Sequence, residues 1–163
     1  LLGLGDEHYI ETMHWKGLAK RAKKTEVSQK TGRYKRKKRF GKSIANKAPA
    51  LFTKIYEQKV LAAGGKFHRI DTVKAKASQY SHDTKAYKKK QLSKRWHELE
   101  DGTKIQRDLY SAFLIQNTNN TLNGFRQDLL EAKFARFKQL HDTEVERLTH
   151  IQTPSSTGVK QVA

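Results

Sequence analysis

The chain has 163 residues, a length that ordinarily makes one compact domain, and carries 34 Lys plus Arg against 16 Asp plus Glu, a formal net charge of +18 at pH 7. Such an excess requires a polyanion to relieve self-repulsion, which makes nucleic acid the first expected partner. A membrane partner is not expected, since no apolar run approaches the ~18 residues of a spanning helix. Cysteine is absent, which excludes disulfides and thiolate-held zinc and favours an intracellular, cytoplasmic setting.

The first residues, Leu1 to Glu7, lack the basic and apolar segments of a signal peptide and lack an initiator Met. They suggest a piece of a longer protein. His8-Tyr9-Ile10 followed by Glu11 predicts a short strand that ends in a carboxylate. Met13, Trp15 and Leu18 then begin a helical pattern that dissolves into charge. Between Lys16 and Lys47 there are 14 Lys or Arg and one acid, Glu26. Aromatics and glycines are interleaved there, so the segment is expected to be mobile without its partner.

Ile44, Ala48, Leu51, Phe52, Ile55 and Lys59 or Val60 trace one face of an amphipathic helix. Pro49 belongs in its first turn, which places the N-cap near Asn46. Gly64-Gly65 is the stop, and residues 66–73 predict a strand. From Lys74 to Lys104 no period emerges; a loop-rich insertion is expected, with a short helix around Lys88 to Leu99. Asp101-Gly102 marks a turn. A second helix is expected from Ile105 to about Asn117, on the face of Leu109, Ala112, Phe113 and Gln116. A third is expected from about Leu122 to Leu148, burying Leu130, Phe134, Phe137, Leu140, Val145 and Leu148. Thr153 to Gly158 has the composition of a disordered tail.

Three segments, in order, resemble the later part of the TnpB (OrfB) proteins of insertion-sequence transposons. The first is Tyr9-Ile10-Glu11-Thr12-Met13 with Trp15-Lys16-Gly17-Leu18. The second runs from Lys42-Ser43-Ile44-Ala45-Asn46 to Gly64-Gly65-Lys66-Phe67-His68-Arg69-Ile70-Asp71. The third is Asp101-Gly102-Thr103-Lys104-Ile105-Gln106-Arg107-Asp108-Leu109-Tyr110-Ser111-Ala112. The resemblance covers roughly residues 6–118. It implies an α/β fold, the C-terminal portion of an RNase H-like (RuvC) nuclease domain over residues 1–150. Within it would lie a basic linker at 16–47 and a degenerate zinc-ribbon-like insertion at 74–104, followed by a tail at 151–163.

The family's paired cysteines are missing: Tyr80, Ser81, His82 and Asp83 stand near the first pair, and Trp96, His97 and Glu98 near the second. A ribbon here must hold together by packing or by its polar residues, and no zinc is expected. His68, His82 and His97 match no zinc-ligand spacing and are expected to be ordinary polar histidines.

What the resemblance implies for function is an RNA-guided DNA endonuclease serving transposition, nucleoid-associated in a bacterium, with DNA and guide RNA as partners. Glu11 and Asp108 would be two of three catalytic carboxylates and ligands to Mg²⁺ or Mn²⁺. Such nucleases hydrolyse phosphodiesters with paired metals held by acids from different elements. The third acid lies upstream of Leu1 in the family, so this chain alone is expected to be inactive. Asp108 falls beside the expected buried face of its helix, as an inward-facing ligand would. Otherwise it is a first-turn acid favoured by the helix dipole, and Glu11 a solvated strand-end acid.

Backbone contacts are expected from Lys20, Arg21, Arg33, Lys35, Arg36, Lys37, Lys38, Arg39 and Arg107, with Tyr34 stacking on unpaired bases; the alternatives are a plain surface role for Arg107 and simple packing for Tyr34. Two other functions remain open on the residues: an RNA-guided DNA-binding regulator without nuclease activity, and a small basic RNA-binding accessory protein.

Overall fold

The computed structural model describes residues 1–20, 25–34, 40–91, 93–151 and 157–159. The mixed α/β chain divides into two compact units. One comprises Leu1–His8 and Thr12–Phe67, the other Tyr9–Glu11 and the chain from His68 onward. Among the described residues every sheet has two strands.

The first unit opens with a single turn, Leu2–Leu4, and strand β1, Glu7–Glu11, whose last three residues belong to the second unit. Helix α1, Trp15–Ala19, is where Met13, Trp15 and Leu18 announced it. Within the basic stretch, Val27 bridges Tyr34 antiparallel and closes a loop in which Ser28 N–H donates to Arg33 O at 2.9 Å. The amphipathic pattern from Ile44 becomes two helices, α2 (Phe40–Lys47) and α3 (Pro49–Ala62). Pro49 sits in the first turn as expected, but the N-cap is Ala48 and not Asn46.

Ala48 is left-handed, at φ 42° and ψ 49°, a conformation that costs an L-residue roughly 1–2 kcal/mol. Ala48→Gly should therefore raise the first unit's stability by about 0.5–1 kcal/mol, read as a higher urea midpoint at unchanged slope. A lower midpoint would show that this kink carries no strain.

The buried side of α3 also differs from expectation. Val60 is buried, whereas Leu51, Phe52 and Ile55 remain exposed. Packing runs instead through Tyr56, which meets His8 edge-on at 5.4 Å and Phe67 at 5.8 Å. The stop is where the glycines placed it. Gly64 takes φ 81°, Gly65 N–H donates to Val60 O at 2.9 Å, and Lys66 N–H then donates to Asp6 O at 2.7 Å.

Strand β2, Lys66–Ile70, pairs with β1 and ends three residues before Val73. Asp71 ends it: its Oδ1 accepts from Val73 N and Lys74 N at 3.0 and 3.2 Å and caps the short helix α4, Thr72–Ala75.

In the second unit the aperiodic stretch folds as two hairpins. Strands β3 (Tyr80–Ser81) and β4 (Ala86–Tyr87) form one; β5 (Trp96–Glu98) and β6 (Lys104–Gln106) form the other. No helix lies between Lys88 and Leu99 among the described residues; Trp96, His97 and Glu98 are extended and pair with Gln106, Ile105 and Lys104. The second hairpin turns at Asp101-Gly102, where Asp101 Oδ1 accepts from Thr103 N at 2.8 Å.

Helix α5, Arg107–Gln116, begins two residues late because Ile105 is committed to β6, and Gln106 caps it. Its buried face is Tyr110, Phe113, Leu114 and the following Asn117, while Ala112 and Gln116 are exposed. Helix α6, Gln127–Thr149, starts at Gln127, since a bridge between Thr118 and Phe125 occupies the expected first turn. Leu130, Phe134 and Phe137 pack inward as predicted, but Leu140 is exposed and His141 takes the buried place beside it.

The core gathers Ala77, Tyr80, Leu99, Ile105, Tyr110, Phe113, Leu114 and Leu130. Each large apolar side chain fully buried there stabilises the fold by roughly 1.5–3 kcal/mol. Of the expected tail, Thr153 to Ser156 lie outside the described residues, whereas Thr157 to Val159 are packed. Trp96 Nε1 donates to Gly158 O at 3.0 Å, and Val159 is buried. Gly158 has φ 73°, and a Cβ there would fall 2.3 Å from Arg95 Cβ. No described helix is long and apolar enough to cross a membrane.

Candidate nucleic-acid interface

Of the residues expected to grip a backbone, Arg21 and Lys35 to Arg39 lie outside the described residues. Lys20, Arg33 and Tyr34 are exposed in the first unit. Tyr34 is 78% exposed, which leaves its ring available for stacking. Arg107, in the second unit, is occupied by its own chain: Nη1 donates to Gln91 O at 3.2 Å and Lys94 O at 3.1 Å, pinning that loop.

The two candidate carboxylates both fall in the second unit. Glu11 is half-buried at the end of β1, and burial raises its carboxyl above the usual range. Asp108 is not inward-facing. The helix face is rotated toward Tyr110 and Leu114, so Asp108 stands in solvent, where Gln106 Nε2 donates to its Oδ2 at 3.2 Å. Both acids offer the hard oxygens that Mg²⁺ prefers. Among the described residues, however, no three His, Asp or Glu side chains converge to hold an ion.

The hairpins bring together a different set of groups. Ser81 ends β3, Asp83 sits in the turn that follows, His97 lies mid-β5 and Lys90 in the loop after β4. Ser81 Oγ lies 2.6 Å from Asp83 Oδ1 and 2.7 Å from His97 Nε2, while Lys90 Nζ hydrogen-bonds His97 Nδ1. Asp83 further accepts from Thr84 N and Glu100 N, each at 2.8 Å, which ties one hairpin to the other.

The directions of these bonds follow from the donors. An ammonium only donates, so His97 accepts at Nδ1 and carries its proton on Nε2; that proton goes to Ser81, whose own proton goes to Asp83. The hydroxyl is thus bound to a carboxylate and is not aimed at a base, unlike a nucleophilic serine. Beside it, Tyr110 OH accepts from His82 N at 2.9 Å, lies 2.7 Å from His82 Nδ1, and its ring stacks on His97 at 4.6 Å.

The electrostatics match. Burial pushes His97 down to about 4, helped by the Lys90 charge, and burial likewise lowers His82. Lys90 falls to about 8 through burial and the repulsion of Arg107. Burial works to raise Asp83, but the hydrogen bonds from Ser81, Glu100 and Thr84 outweigh it and hold the carboxyl below its ordinary value.

Ser81, Asp83, Lys90 and His97 border a groove of about 820 Å³, also lined by Lys88, Lys94, Arg95 and Lys104 and by the acids Glu98 and Glu100. In the sequence Ser81, His82, Asp83 and His97 stand out only as residues near the positions of the missing cysteine pairs, with the histidines expected to be ordinary polar ones. Lys90 and Tyr110 were missed, and the only sequence signal for the former is the run Lys88-Lys89-Lys90 inside a polar stretch.

No protein-family model, no curated protein and no solved structure matches the chain.

Proposed function

We propose that the chain is a nucleic-acid-binding α/β module, and that it serves as the C-terminal part of a RuvC-like, RNA-guided DNA endonuclease of the transposon-encoded TnpB kind. The observation that carries the binding is the +18 net charge, with Lys20, Arg33 and Tyr34 exposed on one unit and a lysine-lined groove on the other. The finer assignment is supported by the order of its parts. A strand ending in Glu11 comes first, then a basic stretch, then a helix closed by Gly-Gly and a strand. Two hairpins joined through Ser81, Asp83 and His97 follow, and then a helix bearing Asp108. Polar side chains and packing would do for these hairpins what a metal does in a cysteine-bearing ribbon. Binding without cleavage is a second reading, favoured by the solvent position of Asp108 and its engagement by Gln106.

Backbone binding of this kind releases counterions, so affinity must fall linearly in log–log with salt. Fluorescence anisotropy of labelled duplex DNA should show a roughly 10³-fold loss between 50 and 200 mM salt if about six phosphates are neutralised. Flat salt dependence, or no binding at 50 mM, would overturn the proposal.

A further inference from the structure

We propose that the groove between the β3–β4 and β5–β6 hairpins is a seat for a phosphate group, with Lys90 as its central contact and Lys88, Lys94, Arg95 and Lys104 around it. The inference deepens the nucleic-acid reading and rests on it for the source of the phosphate. Three observations lead there. Among the described residues, none of these cations has a carboxylate within ion-pair distance. Asp83, Glu98 and Glu100 line the same groove, but Asp83, whose charge favours the ammonium of Lys90, is hydrogen-bonded by Ser81, Thr84 and Glu100, and among the described residues none of the three pairs with a cation of the groove.

Lys90 itself is partly buried among like charges and uses one of its three N–H donors on His97, which leaves two for a ligand. Arg107 fixes the loop at Gln91 and Lys94, so the cations are gathered before any anion arrives. An anionic ligand with several acceptor oxygens supplies what this arrangement lacks, and a groove of about 820 Å³ admits one with room for its ester groups.

Seating a phosphate must restore the ammonium form of Lys90, so binding near pH 8 should take up a proton. Calorimetry in two buffers of different ionisation enthalpy reads this directly, with the full chain and an oligothymidylate of about 12 nucleotides, within the span of single-strand sites. We expect uptake of up to about half a proton at pH 8 and almost none at pH 6.5. Lys90→Met should remove the uptake, weaken binding roughly three- to tenfold and lower the salt slope by about 0.7. Lys90→Arg, which cannot deprotonate, should keep the affinity and lose the uptake; it also guards against a methionine variant that fails to fold.

Normal oligonucleotide binding with unchanged proton uptake in both variants sinks the seat and leaves the nucleic-acid reading standing. Lys90-dependent uptake with inorganic phosphate but no oligonucleotide binding sinks that reading and makes the groove a site for a free phosphate. No Lys90-dependent uptake with either probe overturns the seat.

Discussion

Tyr110→Ala is expected to cost the second unit about 3–5 kcal/mol, the range of a large aromatic removed from a packed core. The ring is 1% exposed and stands between the core of α5 and α6 and the polar network of the hairpins. One face lies on His97 at 4.6 Å, and its edge reaches Phe137 at 6.5 Å. Truncation would open a cavity on the apolar side and free the His97 ring on the other. Tyr110→Phe separates these contributions. It keeps the packing and deletes only the oxygen that accepts from His82 N and hydrogen-bonds His82 Nδ1, leaving a buried amide and a ring nitrogen without this partner at a cost of about 1–3 kcal/mol.

The hydroxyl is also pushed up to about 12 by burial, so it stays neutral throughout the accessible range and does not confuse the comparison. Chemical denaturation followed by circular dichroism measures both variants. A loss below 1 kcal/mol for Tyr110→Ala would mean that the hairpins do not depend on α5 for their packing.

The parts legible in the sequence are those whose signal is local. Gly64-Gly65 stops a helix because it needs a left-handed residue and a close return of the chain, and Asp101-Gly102 turns a hairpin for similar reasons. Leu130, Phe134 and Phe137 keep helical spacing over a long run, so their face could be read directly. The faces of α3 and α5 could not. Apolar spacing marked Leu51, Phe52 and Ile55 along with Val60; of these only Val60 is buried, and the contacts to His8 and Phe67 are made by Tyr56. In α5 the phase was set by placing Ile105 in the helix, whereas hairpin pairing with His97 claimed it. That single misplacement turned Asp108 from an exposed residue into an apparent inward ligand.

The hairpins gave no periodic signal because strands of two and three residues are too short to alternate. Leu92, Trp96 and Leu99 even mimic helical spacing. The groups of the groove escaped for a related reason. Ser81 and His97 are 16 residues apart and meet only through tertiary structure.

That meeting also sets the response to acid. His97 is 3% exposed and neutral in the fold, where its proton is taken up only near pH 4. In the unfolded chain the imidazole protonates near its ordinary 6.5. Between these values the unfolded state binds more protons, so stability must fall as pH falls through this window. The groups facing the ring agree with that sign. Lys90, charged throughout the window, repels an imidazolium, and His82 is depressed by its burial. Asp83 opposes them but is committed to hydrogen bonds, while Ser81 and Tyr110 are neutral.

The gap between about 4 and 6.5 sets an upper bound of roughly 3 kcal/mol, so unfolding free energies from denaturant titrations at pH 7 and pH 4.5 should differ by about 1.5–3 kcal/mol. His97→Gln is the informative variant: its carbonyl can accept from Lys90 and its amide can donate to Ser81, yet it does not titrate. It should be somewhat less stable at pH 7 and should lose most of the difference between the two pH values, keeping the smaller shares due to His82 and to the carboxylates held below their ordinary values. An undiminished pH dependence in that variant would place the acid sensitivity elsewhere in the chain.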